Sequence, residues 1–185
     1  TVYLSTIPAV ALFMIHLETN FYHHYRKYYQ LILNKGTLSE LEQAREGMRA
    51  AARTGLWTIL KVQGFIALFL CLIASDLAAF VGLAPQWVTL LRIETGAAAG
   101  QFFVLTMMLL LLYIDQRRAT LLVVGVFTLC NTMLTLASFY LGSAFYGWGY
   151  LGATLIAAIL GWFLLDSRLK RLQFLTFMRQ PVGTK

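Results

Sequence analysis

Residues 56–80 read LWTILKVQGFIALFLCLIASDLAAF. Only Lys61 and Asp76 carry charge in that run, and nothing in it alternates polar with apolar. The hydrocarbon core of a bilayer is about 30 Å thick and takes roughly 20 helical residues to cross. A helix satisfies every backbone N–H and C=O within its own segment, as lipid requires. A barrel wall would alternate with period two. The run therefore reads as a transmembrane helix. Working outward, residues 88–114, 119–141 and 148–165 read the same way, and so does a shorter stretch at 1–17. The sequence predicts an all-α membrane protein with about five transmembrane helices. Residues 18–54 form a cytoplasmic or interfacial helical segment, and residues 166–185 a cytoplasmic tail.

Composition agrees with that class. Of 185 residues, 59% are hydrophobic and 12% charged, whereas soluble domains average about 45–50% and 25%. A soluble core of this size could not hide so much apolar side chain, and disordered chains are polar and poor in aromatics. The net charge of +7 follows from topology. Arg26, Lys27, Lys35, Arg45, Arg49, Arg53 and Lys61 flank the first two spans on one side, Arg117 and Arg118 join the third to the fourth, and Arg168, Lys170, Arg171, Arg179 and Lys185 follow the fifth. The connections 81–87 and 142–147 hold none, and Arg92 is the exception. Positive residues stay inside, so residue 1 is outside and the C-terminus cytoplasmic. No basic face stands apart from the spans, which argues against nucleic-acid binding. An odd number of spans with an external start points to part of a larger helix bundle, of which this chain is the C-terminal portion.

The segment 18–54 mixes Phe21, Tyr22, Tyr25, Tyr28 and Tyr29 with His23, His24, Arg26 and Lys27, the blend that the headgroup zone favours. Asn34-Lys35-Gly36 supplies a helix stop. Thr37-Leu38-Ser39-Glu40 matches a capping box, and Leu38–Arg53 is rich in helix formers. Two readings stand for Glu40, Glu42, Arg45, Glu46 and Arg49: ion pairs on a solvated face, or a docking face for a cytosolic partner.

Ionisable groups at membrane depth face a cavity or the bundle interior. Candidates for a substrate path are Arg92, Glu94, Gln101, Lys61, Gln63, Asp76 and Asn131. Arg92 and Glu94, at i and i+2, point to different faces and cannot pair ideally. Gln101 lies two turns from Glu94 on a similar face. Lys61 either snorkels or lines the path, Asp76 is either solvated or part of it, and Asn131 suits a hydrogen bond between helices. Gly96 and Gly100 form GxxxG, and Gly149/Ala153 a weaker pair, for packing inside the bundle or for dimerisation. Tyr140, Phe145, Tyr146, Trp148 and Tyr150 read as an aromatic belt at the outer rim. Cys71 and Cys130 read as small buried residues, and His16, His23 and His24 as structural or interfacial rather than as ligands. No nucleophile–base pair, metal-ligand set or cofactor motif is present in the sequence, so no catalytic residue is assigned.

His16–Tyr22 (HLETNFY), Tyr25–Tyr29 (YRKYY), Gly36–Glu42 (GTLSELE), Leu60–Gly64 (LKVQG) and Phe174–Pro181 (FLTFMRQP) resemble the PelG family, membrane transport proteins of the bacterial Pel exopolysaccharide system. The resemblance implies a multi-pass inner-membrane protein of the MATE-like flippase superfamily, with alternating access between two six-helix bundles. The five helices would then be the eighth to the twelfth. It further implies a polysaccharide substrate, other Pel-system membrane proteins and a cytosolic glycosyltransferase as partners, and no cofactor. The rival expectation is a membrane scaffold that docks the glycosyltransferase without conducting the polymer.

Overall fold

The computed structural model describes residues 2–34 and 36–172; Lys35, Arg179, Lys185 and the string 174–181 lie outside them. Seven α-helices follow one another: α1 (Ile7–His16), α2 (Tyr22–Leu33), α3 (Leu38–Leu72), α4 (Ala74–Val81), α5 (Val88–Tyr113), α6 (Arg117–Leu141) and α7 (Trp148–Lys170). Five helical segments are long and apolar enough to cross a membrane: Tyr3–Leu33, Leu38–Leu72, Pro85–Tyr113, Arg117–Leu141 and Ser143–Lys170. The chain is a multi-pass helical membrane protein. One end carries Arg45, Arg49, Arg117 and Arg118 and is called the basic end below. The opposite end holds the turns at Gly82 and Gly142–Gly147.

α1 and α2 form one rod joined by a π-helical turn, Leu17–Phe21. The wider turn sits where the rod meets α3 through two notches. His16 lies over Gly55 and His24 over Gly47, eight residues apart on both antiparallel helices. His16 Nε2 donates to the Ala51 carbonyl at 3.0 Å, while Nδ1 accepts from Asn20 Nδ2 at 3.2 Å. His24 Nδ1 donates to the Asn20 carbonyl at 2.8 Å. Any Cβ at Gly47 or Gly55 would push the histidines off. Phe21 and Tyr28 are buried in the same seam, and Tyr25 meets Tyr113 of α5 edge-on at 5.2 Å.

α2 ends as expected, with Asn34 N–H on the Gln30 carbonyl and Gly36 N–H on the Leu31 carbonyl. The capping box of α3 forms: Thr37 N–H donates to Glu40 Oε2 at 2.8 Å, and Glu40 N–H to Thr37 Oγ1 at 3.3 Å. Thr37's backbone N–H, reinforced by its hydroxyl, holds the Glu40 carboxyl below its ordinary range. Two boundaries differ from the sequence reading. The soluble-looking stretch 38–53 and the span beginning at 56 are one unbroken helix. The expected run to Phe80 instead breaks at Ile73 (φ −89°, ψ 6°), and α4 restarts there. α7 also runs on to Lys170, five residues beyond the expected end. There Asp166 receives both Arg49 Nη2 at 2.8 Å and Lys170 Nζ at 2.9 Å.

α6 and α7 make the tightest hairpin. A Cβ on Gly149 would stand 2.6 Å from the Leu134 carbonyl carbon and oxygen, so the backbones touch there. On the other face of α7, Thr154 Oγ1 would be 2.9 Å from a Cβ on Gly100. The small residues thus serve packing within this chain, as small-residue interfaces do in lipid. Cys71 and Cys130 are half-buried rather than buried.

Candidate translocation site

Arg92 and Glu94, read from the sequence as facing different ways, do not pair with each other. Arg92 reaches across to the break in the second span: Nε donates to the Cys71 carbonyl at 3.2 Å and Nη2 to Ser75 Oγ at 3.2 Å. Cys71 Sγ in turn donates to the Arg92 carbonyl at 3.6 Å. One guanidinium therefore straddles Ile73, fastening the last turn of α3 and the first of α4 to α5. Glu94 is half-buried and takes no part in that hold.

Two turns farther in, about 10 Å along α5, Gln101 Oε1 accepts a hydrogen bond from Tyr150 OH. That hydroxyl also meets Tyr3 OH at 3.2 Å. The chain of contacts ties α5, α7 and the start of the first helical segment. α3 and α5 are antiparallel and meet at Cys71 and Arg92. Eight residues inward on each is about 12 Å, which puts Gln63 at the depth of Gly100 and Gln101. Gln63 is 2% exposed, and neither its amide nitrogen nor its amide oxygen has a hydrogen-bond partner. Leaving such a group unsatisfied costs about 1–3 kcal/mol. Gln63 is thus a buried amide with its bonding capacity unused, at about the depth of the half-buried Gln101–Tyr150 pair, while Tyr3 stands exposed beside that pair.

The remaining candidates sit elsewhere. Lys61 and Asp76 are exposed, Lys61 on α3 and Asp76 on α4. Asn131 Oδ1 accepts from Thr135 Oγ1 at 3.2 Å, on its own helix. The expected bond between helices gives way to this local one, because Thr135 lies one turn on. Of the docking candidates, Glu40 is held in the capping box and Glu42 pairs with Arg45 at 3.1 Å. Arg45 Nη1 also donates to the Lys170 carbonyl at 2.7 Å. Arg49 ignores the glutamates of its own helix for Asp166 on α7. Glu46 stays exposed. Sequence reasoning missed Tyr150, Tyr3, Asp166 and Lys170. The signal for Tyr150 was available: it falls on the stripe Thr154, Ala157 and Gly161, at i+4, i+7 and i+11, whose members are buried. Among the described residues no group of three His, Cys, Asp or Glu side chains could hold a metal ion.

Five helical segments long and apolar enough to cross a bilayer define a polytopic membrane protein. The chain belongs to the PelG family, described as "Putative exopolysaccharide Exporter (EPS-E)", whose pattern covers residues 1–177. No curated protein gives a significant match. No solved structure does either.

Proposed function

We propose that this chain forms the C-terminal helices of a flippase-type exporter in the bacterial inner membrane. It moves Pel-type exopolysaccharide, or its precursor, from the cytoplasm to the periplasm. The family match over residues 1–177 carries this reading. The polar side chains support it: buried Gln63 and half-buried Gln101 and Tyr150, with Tyr3 beside them, offer amide and phenol groups, which suit the hydroxyl and acetamido groups of a sugar chain. Glu94, nearer the opposite end, suits an amine exposed where the polymer is deacetylated.

The sorting of Lys and Arg supports a cytoplasmic basic end. Twenty residues of α3 counted back from Leu72 reach Arg53, so Leu38–Ala52 stands about 22 Å clear of the bilayer. The polymerising glycosyltransferase meets the exporter at this protrusion. At the periplasmic end, α4 swings about Ile73 when Arg92 lets go of Cys71 and Ser75, opening the path outward.

The test is Gln63→Leu in the full-length protein, read as secreted polymer at matched protein level. Leucine removes two unsatisfied polar atoms, so thermal stability rises while export falls at least about fivefold. Unchanged secretion from a stable Gln63→Leu protein would refute the path assigned here.

A further inference from the structure

Arg53, Trp57 and Lys61 recur every four residues along α3 and share one helix face. All three are exposed. The Arg53 guanidinium stands over the Trp162 ring at 5.9 Å, and Trp57 meets the same ring edge-on at 6.2 Å. From this aromatic pair a groove of about 370 Å³ runs between α3 and α7, lined by Leu56, Trp57, Leu60, Phe103, Ile159 and Trp162. Its walls are almost wholly apolar. At its basic end, charge is in excess. Asp166 presents one oxygen to Arg49 and the other to Lys170, and among the described residues neither Arg53 nor Lys61 forms an ion pair. An apolar slot that opens beside tryptophans under an unneutralised arginine matches a molecule with a long hydrocarbon chain and a phosphate head.

We propose that the α3–α7 groove binds an anionic phospholipid of the leaflet at the basic end. One acyl chain lies in the groove against Trp57 and Trp162, the phosphate rests on Arg53, and Lys61 reaches up to the same layer from two turns deeper. This site is independent of the export path, since it uses the outward face of α3 and none of Gln63, Gln101 or Tyr150. Basic side chains near a membrane surface contribute about 1 kcal/mol each toward anionic lipid, close to a fivefold preference per cation.

The experiment uses the full-length protein in phosphatidylcholine vesicles, into which dibrominated phosphatidylglycerol or dibrominated phosphatidylcholine is titrated. Bromine quenches tryptophan on contact, and subtracting a Trp57→Phe/Trp162→Phe protein isolates the signal of the groove. Quenching by the anionic lipid sets in at a mole fraction at least about fivefold lower than by the zwitterionic one. Arg53→Gln with Lys61→Met removes that preference, and Arg53→Lys keeps it. Equal quenching by both lipids overturns the proposal, because the groove is then ordinary lipid annulus. No quenching by either also overturns it, because protein then covers the groove. So does a preference that survives loss of both cations.

Discussion

Gly149→Ala adds a single methyl group where two helices touch backbone to backbone. The new Cβ would stand 2.6 Å from the Leu134 carbonyl carbon and oxygen and 2.7 Å from Thr135 N. Comfortable separations between such atoms are about 3.5 Å or more, so α6 and α7 must part by close to 1 Å at this crossing. Peptide atoms cannot rotate away as a side-chain tip can. Overpacking of this kind costs about 1–3 kcal/mol, and backbone contact places Gly149 in the upper half. Gly125→Ala is the matched control, since nothing lies within 4 Å of its Cβ. There the change brings only the helix propensity of alanine, at most about 1 kcal/mol in its favour. The two variants should differ by about 2–3 kcal/mol, at least a few degrees in melting temperature even for a larger protein, where the shift per kcal/mol is smaller. Melting of the detergent-solubilised full-length protein, followed by fluorescence of a C-terminal fusion, reads the difference. Equal melting temperatures would refute the backbone contact between α6 and α7.

Other consequences are as direct. Asp166→Asn leaves Arg49 and Lys170 without their shared carboxylate, and the melting temperature falls by the equivalent of about 1 kcal/mol, with Glu46→Gln unchanged beside it. Arg92→Gln gives up the double hold on Cys71 and Ser75, so amide exchange over residues 74–81 speeds up about five- to tenfold, while residues 60–70 keep their protection. Glu40 has its carboxyl held low by Thr37, so its contribution to the start of α3 is full above the ordinary carboxylate range. That contribution fades as pH drops through the depressed value. Amide exchange at residues 38–41, corrected for intrinsic rate, should accelerate as the pH is taken down through and below the ordinary carboxylate range in the native protein and show no such step in Glu40→Gln.

What the sequence disclosed and what it hid divide along local and non-local lines. Apolar blocks and the sorting of basic residues read directly as five spans, and the capping box at Thr37 read directly as a helix start, because each signal is complete within a few residues. The break at Ile73 has no such signature. Neither proline nor glycine stands there, and the group that holds it, Arg92, comes from another helix. The π-helical turn at Leu17–Phe21 is equally silent, as it answers to His16 and His24 seating on glycines of α3. Arg49 shows why spacing rules mislead. Its own helix offers Glu46 one turn away, but Asp166 arrives at a half-buried position where a carboxylate is worth more. In the polar interior, Gln63 and Gln101 were recognisable as misplaced amides. The partner of Gln101, Tyr150, was hidden among rim aromatics until its helix face was considered.

The unbroken run of α3 carries a mechanical corollary. Its 35 residues make a stiff shaft about 52 Å long, seamless from the capping box to Ile73. A tilt of about 10° pivoting at one tip would sweep the other through about 9 Å, with no joint along the way to absorb it. Whatever leans on Leu38 is felt at Arg92.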